Sequence, residues 1–230
     1  MRPECAAVAL LRMADWAPWQ AQAAALLDPP EIARVRRRRL AADRDMLTFA
    51  YAAHRLLLGR MLSCDPLDVP LRRDPRGCPR VGAGGICTSL SHADGVIALA
   101  VTRAGPVGVD VESPDRAAEL PEIADRVCHA GEKALLRGLD EPARALALLG
   151  MWVRKEAVLK AAGVGLAVEM DTFAAPSGAL VSSSTLGPHP IQVRMLEAGA
   201  ACMAALAGPR DLAIDCRWLR PRVDASGGWK

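Results

Sequence analysis

Two short segments of this chain place ionisable groups where they could act together. In Gly108-Val109-Asp110-Val111-Glu112, alternation of a strand sends Asp110 and Glu112 to one face and Val109 and Val111 to the other. Two carboxylates on one face repel unless a cation or solvent lies between them. An oxygen-only pair of this kind suits Mg²⁺, which takes one or two carboxylates together with substrate phosphates. The same pair also describes a strand end whose acids simply face water. In Trp152-Val153-Arg154-Lys155-Glu156-Ala157-Val158-Leu159-Lys160, helical spacing aligns Trp152, Glu156 and Lys160 in one stripe with Lys155 beside it. An ordinary Glu–Lys surface pair four residues apart would give that pattern too. Two features favour a site: the apolar flanks, and the scarcity of lysine, with four Lys against 25 Arg in the whole chain. A compact ammonium is not interchangeable with a guanidinium fork. Two ammonium groups and a third carboxylate fit a metal-bound pyrophosphate.

Two further segments are weaker signals. Ser91-His92 stands at a strand-to-turn junction, where it could donate hydrogen bonds to a phosphate or serve only the local backbone. Arg34 and Arg36–Arg39 form a basic run that reads as a solvated face or as an anion-binding edge. No aromatics interleave with it, which argues against nucleic acid. His54, His129 and His189 have no zinc-ligand spacing with His92.

The elements that must position these groups follow from hydrophobic period and turn signals. Cys5–Leu11 reads as a buried strand, and Pro18–Leu27, Glu31–Leu40 and Asp43–Leu62 as helices, the last capped by Asp43. Ile86–Leu90 and Val96–Thr102 read as a hairpin, followed by a strand at Val107–Val111. Helical pattern returns from Ala117 to Ala162. Strand-like pieces then lie near Phe173 and at Ala179–Ser183, Ile191–Leu196, Ala200–Ala207 and Leu212–Leu219. Each half runs helices first and strands second, which predicts an α+β fold with a possible duplication and a seam at Gly105-Pro106. The boundaries expected are an N-terminal half at 1–105, a C-terminal half at 106–220 and a loose tail at 221–230.

Composition narrows the class. The chain has 230 residues, 51% hydrophobic and 24% charged, enough for a sizeable core. No apolar run reaches the ~18 residues of a membrane span, and Cys5–Leu11 lacks a signal-peptide cleavage pattern. Seven Cys with no C-x-x-C pair argue against a disulfide framework or zinc knuckle. A reduced, cytoplasmic protein is expected. The formal charge of +3 is uneven, because the first 105 residues carry a net +5 and the remainder −2. That asymmetry suits an anionic ligand or partner.

Taken in order, Ser91-His92, Gly-Val-Asp-Val-Glu at 108–112 and Trp-x-x-Lys-Glu-Ala-x-x-Lys at 152–160 resemble the Sfp-type 4'-phosphopantetheinyl transferases. Asp43–Leu62 with His54-Arg55, Ile123–Arg126 with Glu132, Gly163–Leu166 and Asp171-x-Phe173 extend the resemblance over roughly residues 28–207. It implies a pseudo-twofold α+β protein of two similar α/β halves, with coenzyme A in the cleft between them. The implied reaction moves the phosphopantetheine arm to a serine of an acyl, polyketide or peptidyl carrier protein and releases 3',5'-ADP. By matching position, Asp110, Glu112 and Glu156 would hold Mg²⁺, and Glu156 would also be the base. Lys160 would pair with the pyrophosphate and Lys155 would lie on the ligand's phosphates. Ser91 and His92 would contact coenzyme A, His92 at its 3'-phosphate, and Arg55 would be a further phosphate contact. The resemblance further implies a monomeric enzyme that docks transiently on its carrier, with no nucleic-acid or membrane partner. The alternatives are a non-catalytic carrier-protein or coenzyme A binding module and an Arg-driven nucleic-acid binder. The chain departs from the family pattern at Ala93, at Cys78 (where the family has Lys) and at Val127-Cys128-His129.

Overall fold

The computed structural model describes residues 5–221, so residues 222–230 of the expected tail lie outside the described residues. The first half holds β1 (Cys5–Arg12), α1 (Met13–Trp16), α2 (Gln20–Ala25), α3 (Pro29–Arg36), α4 (Ala41–Leu62), β2 (Leu71–Arg73), β3 (Pro79–Val81), β4 (Cys87–Ala93) and β5 (Val96–Thr102). The second holds β6 (Gly108–Glu112), α5 (Ala124–Val127), α6 (Ala130–Leu136), α7 (Glu141–Ala162), β7 (Leu180–Val181), β8 (Ile191–Met195), β9 (Met203–Gly208) and β10 (Ala213–Leu219). The fold is α+β.

Four layers stack on one another. α4 covers one face of a sheet ordered β10-β1-β5-β4, and α7 covers one face of an antiparallel sheet ordered β6-β9-β8-β7. Alternation along the strands divides the core accordingly. Leu11, Ile97 and Leu99 meet Leu47, Phe49 and Ala50 of α4. Val8, Leu10 and Ala98 face the other way and meet Val109, Val111 and Leu206 of the second sheet. Val193, Ala205 and Ala207 complete the stack against Val153 and Ala157 of α7. Val109 and Val111 thus fill the space between the sheets, which turns Asp110 and Glu112 toward α7 rather than toward water.

The last strand crosses the division drawn at 105/106. β10 leaves the second half and pairs in parallel with β1, from Cys5 opposite Ala213 to Leu11 opposite Leu219. Asp43, expected as a helix cap, lies inside the first turn of α4. The capping position is Leu40, with no side-chain hydrogen bond. α7 does have such a cap, Asp140, which accepts from the Ala143 N–H, and it stops at Gly163 with φ +68°. α3 ends at Arg36, short of the expected Leu40, and leaves Arg37, Arg38 and Arg39 exposed. The Phe173 region is a 3₁₀ turn, Met170–Thr172, rather than a strand. The carbonyls of Met170 and Phe173 accept from a side chain instead of a ladder. No helix among the described residues is long and apolar enough to cross a membrane. All seven cysteines are free thiols.

Two polar groups of α4 hold the first half together. Arg55 is 1% exposed, and its guanidinium bonds Asp28, Glu31 (2.5 Å) and the Pro66 carbonyl (3.0 Å). With those bonds it joins the start of α3 to α4, so the expectation of Arg55 as a phosphate contact is corrected. Its donors are spent in the interior.

His54 is fully buried, with Nε2 2.7 Å from Thr88 Oγ1, whose hydroxyl donates to the Ala100 carbonyl at 2.9 Å. That hydroxyl proton is committed, so Nε2 carries the ring proton, and Nδ1 has no hydrogen-bond partner among the described residues. Burial, and after it the charges of Arg73 and Arg55, lower its pKa from 6.5 to about 3. Over that interval the unfolded chain binds a proton and the folded chain does not, so stability falls as pH drops. We expect His54→Gln to flatten the loss of urea stability between pH 7 and pH 4. An unchanged slope would remove His54 as its source.

Candidate active site

A cleft of about 340 Å³ separates the β2–β3 hairpin and β4 from the last turns of α7. Its walls carry Arg73, Arg76, Cys78 and Arg80 on one side and Glu156 and Lys160 on the other. A slightly larger cavity, about 370 Å³, lies under α4, but its lining is nearly all carbon and contains no carboxylate. Of these two, only the smaller cleft carries charged groups suited to acid–base chemistry.

Three side chains from three elements converge behind its wall, where Lys160 links them to the cleft. Asp110 Oδ1 accepts from Lys160 Nζ at 2.7 Å and from the Ser91 hydroxyl at 2.8 Å, and Lys160 also donates to Ser91 Oγ at 2.9 Å. Asp110 is 4% exposed, and its second oxygen, Oδ2, is buried with no hydrogen-bond partner among the described residues. A buried carboxylate oxygen left unpaired is costly, and a ligand or cation that pairs with it recovers that cost.

The closeness of β6 to α7 makes this contact. A Cβ on Gly108 would lie 2.0 Å from the Ala157 carbonyl and 2.4 Å from the Ala161 nitrogen. Only glycine lets the strand lie that near the helix carrying Lys160. On the other side, Ser89 Oγ accepts from the Val109 N–H at 3.1 Å and ties β4 to β6.

Glu112 and Glu156 complete the acidic group. Glu112 Oε1 accepts from Arg116 Nη1 at 2.5 Å and from the Trp152 indole at 3.2 Å. The Arg116 guanidinium also lies 4.7 Å over the Trp152 ring. Burial, reinforced by the charge of Asp110 and opposed by Arg116, raises the Glu112 pKa to about 7. Glu156 has no hydrogen bond or ion pair among the described residues. Burial first, and then Asp110, raise its pKa above that of an ordinary glutamate. Each burial raises the energy of the charged form, so each acid gains from an arriving cation. Among the described residues no three His, Cys, Asp or Glu side chains stand close enough to cage a metal ion by themselves. The oxygen-only donor set and the orphaned Asp110 Oδ2 nonetheless fit a hard divalent cation that takes its remaining ligands from substrate and water.

Residues 106–195 match the model of the 4'-phosphopantetheinyl transferase superfamily. The match contains all three acids, Trp152 and Lys160, and leaves the first 105 residues outside it. That stretch of the chain is similar to the 4'-phosphopantetheinyl transferase superfamily. It is 31% identical over 148 residues to 4'-phosphopantetheinyl transferase HetI of a Nostoc species, an alignment covering 63% of this chain and 62% of that protein. It is 27% identical over 145 residues to slr0495 of a Synechocystis species, whose name offers the same activity without asserting it. That alignment covers 62% of this chain and 59% of the relative. The chain thus spans about three-fifths of the length of the curated relatives it matches.

Within this cleft, the residues expected from sequence fall into two groups. Asp110, Lys160 and Ser91 are in direct contact, Glu112 lies on the same strand face as Asp110, and Glu156 opens on the cleft. The Ser91 hydroxyl is consumed by Asp110 and Lys160, so it holds those two together rather than lining the cleft wall. Lys155 is corrected. One residue before Glu156 on a helix, it projects about 100° away around the axis. It is 0% exposed, and its Nζ donates to the carbonyls of Val127, Met170 and Phe173 at 2.6–2.7 Å and pairs with Glu132 at 2.5 Å. No donor remains for a ligand phosphate. His92 is on the surface. Crowding of its ring, then the charges of Lys160 and Arg38, lower its pKa. That brings Arg38, from the basic run, into the field of the site.

Sequence reasoning passed over Arg116, Arg73 and Ser89. Arg73 lies 4.6 Å over Tyr51 and donates to the Gly77 carbonyl at 3.0 Å, while its buried Nη2 has no hydrogen-bond partner among the described residues. Nothing in the local pattern distinguishes Arg73 from its neighbour Arg72. Arg116 stands four residues beyond Glu112, but Glu112 ends a strand, so helical spacing does not announce the pair.

Proposed function

We propose that this cleft transfers the 4'-phosphopantetheine arm of coenzyme A to a serine hydroxyl of an acyl, polyketide or peptidyl carrier protein, with Mg²⁺ bound and 3',5'-ADP released. The observation that carries this reading is the Asp110–Lys160–Ser91 contact with its unpaired Oδ2, beside a cleft whose opposite wall is arginine-rich. In the reaction the serine oxygen bonds to the β-phosphorus as its bond to the bridging pyrophosphate oxygen breaks. 3',5'-ADP departs with that oxygen. Glu156, raised in pKa and free of partners, takes the serine proton. Lys160 turns its ammonium from Asp110 to the charge growing on the leaving phosphate. Asp110, Glu112 and Glu156 would hold Mg²⁺, which supplies Lewis-acid neutralisation of the pyrophosphate oxygens. Arg73, Arg76 and Arg80 bind the phosphates of the nucleotide end, with His92 and Arg38 at the rim. Release of 3',5'-ADP, followed by nucleotide chromatography across a panel of apo-carriers, tests the reading. Release that depends on a carrier supports the reading, whereas no release with any carrier, or equal release in the carrier-free control (hydrolysis), contradicts it.

Two arginines beside Cys78 can stand in for the ammonium that the family pattern has there. Arg76 Nη1 bonds the Gly163 carbonyl at 2.8 Å, and Arg80 bonds Asp74 at 2.9 and 3.0 Å, so both stand on the cleft wall beside Cys78. A guanidinium fork can serve a phosphate where the family has an ammonium. We expect Arg76→Ala or Arg80→Ala to weaken coenzyme A binding about tenfold, the worth of one charge-assisted bond of ~1.5 kcal/mol. Cys78→Lys should change little. A tenfold gain from Cys78→Lys, measured by calorimetry, would show that the arginines do not reach the ligand.

A further inference from the structure

The acids of the cleft are divided between cations that belong to the chain itself. Lys160 sits on Asp110, Arg116 sits on Glu112, and Glu156 has neither. Arg116 is fixed from two directions. Its Nη1 bonds Glu112 Oε1 at 2.5 Å, and its plane lies 4.7 Å over Trp152, whose own indole donates to the same Oε1 at 3.2 Å. This arrangement gives a physical reason why the three carboxylates are not gathered into a cage, because Glu112 is drawn to Arg116 and Trp152. A guanidinium does not give up its charge by losing a proton. Arg116 can therefore yield Glu112 to a metal ion only by moving, and it moves readily only if another anion receives it. Its side chain is 34% exposed, so it has an accessible side from which to leave. A phosphate presents the acceptor geometry that its fork matches.

We propose that Arg116 is an internal counter-ion that occupies Glu112 until a divalent cation and the pyrophosphate of coenzyme A arrive together. The inference rests on the function proposed above and adds an order to it: the metal binds weakly to the free protein and tightly with the nucleotide. By linkage the metal raises nucleotide affinity by the same factor. Arg116 acts through Glu112 and is a positioning residue.

Binding of Mn²⁺ to the whole chain, followed by electron paramagnetic resonance, tests this without turnover. Titrations are made with and without coenzyme A, subtracting the metal held by coenzyme A alone, on the parent, Arg116→Gln and Arg116→Lys. The parent should bind Mn²⁺ at least about tenfold more tightly with coenzyme A present. Arg116→Gln should bind it about tenfold more tightly than the parent when coenzyme A is absent, and the gain from coenzyme A should shrink. Arg116→Lys keeps the charge but loses the fork and the flat stacking surface, so it should fall between them. If coenzyme A tightens Mn²⁺ binding but Arg116→Gln equals the parent or is weaker without it, the counter-ion proposal is overturned and the metal site stands. If no form binds Mn²⁺ even with coenzyme A, the three-carboxylate site is overturned and the counter-ion with it.

Discussion

Glu156→Gln is expected to lower kcat for carrier modification by at least about 100-fold without lowering the melting temperature. The two halves of that expectation have one cause. Glu156 is an acid whose charged form is penalised by burial and by Asp110, and it has no hydrogen bond to lose. Its folded-state pKa lies above the 4.5 of an ordinary glutamate, so the unfolded chain releases this proton first as pH rises. The contribution to stability is therefore present below pH 4.5 and declines above it. Glutamine keeps the neutral shape and removes the decline. The reaction, in contrast, needs the lost carboxylate as base and as metal ligand, and loss of a general base alone is typically worth ~100-fold or more. Transfer rates at saturating coenzyme A and Mg²⁺, taken beside thermal unfolding at pH 8, separate the two effects. Near-parental turnover would remove Glu156 from the chemistry, and a large fall in melting temperature would show that it is structural.

Gly108→Ala should cost at least ~3 kcal/mol of stability and abolish transfer. Ordinary overpacking costs ~1–3 kcal/mol because side chains can shift. Here the added Cβ meets backbone, at 2.0 Å from the Ala157 carbonyl and 2.4 Å from the Ala161 nitrogen, so strand and helix must separate. That separation acts directly on the 2.7 Å contact between Asp110 and Lys160. Gly131 offers the control. Its added Cβ would meet nothing closer than His129 Nδ1 at 3.6 Å, and it lies inside α6, where alanine is the better helix former. Gly131→Ala should be neutral or stabilising by urea denaturation. Equal behaviour of the two variants would contradict the close approach at Gly108.

The contrast between these positions shows what one sequence could and could not display. Strand alternation sent Asp110 and Glu112 to one face, and the four-residue step put Glu156 and Lys160 on one stripe, because both periods are local. Lys155 enters the interior because α7 is apolar around much of its circumference. Of two adjacent charges, the period alone could not say which entered the cleft and which the interior. The phosphate role of Arg55 was implied by the resemblance alone. Its partners Asp28 and Glu31 lie on another helix, and nothing in Asp43–Leu62 announces them. The α+β class followed from the order of helices and strands. The parallel pairing of β10 with β1 joins residues about two hundred positions apart, and no turn signal encodes it. Gly108 looked like the start of a strand, and its role depends on the distance to a helix that begins beyond residue 140.

The central claim is that this cleft moves phosphopantetheine onto a carrier serine, and intact-mass spectrometry of the carrier tests it most directly. Apo-carrier is incubated with coenzyme A, Mg²⁺ and the parent protein, in parallel with Glu156→Gln and with a carrier whose acceptor serine is replaced by alanine. The parent should add one phosphopantetheine mass to the carrier, Glu156→Gln should add almost none in the same time, and the serine-free carrier should stay unmodified. Carriers from fatty acid, polyketide and peptide synthesis that all remain at their apo mass, with correctly folded parent protein and bound coenzyme A, would contradict it.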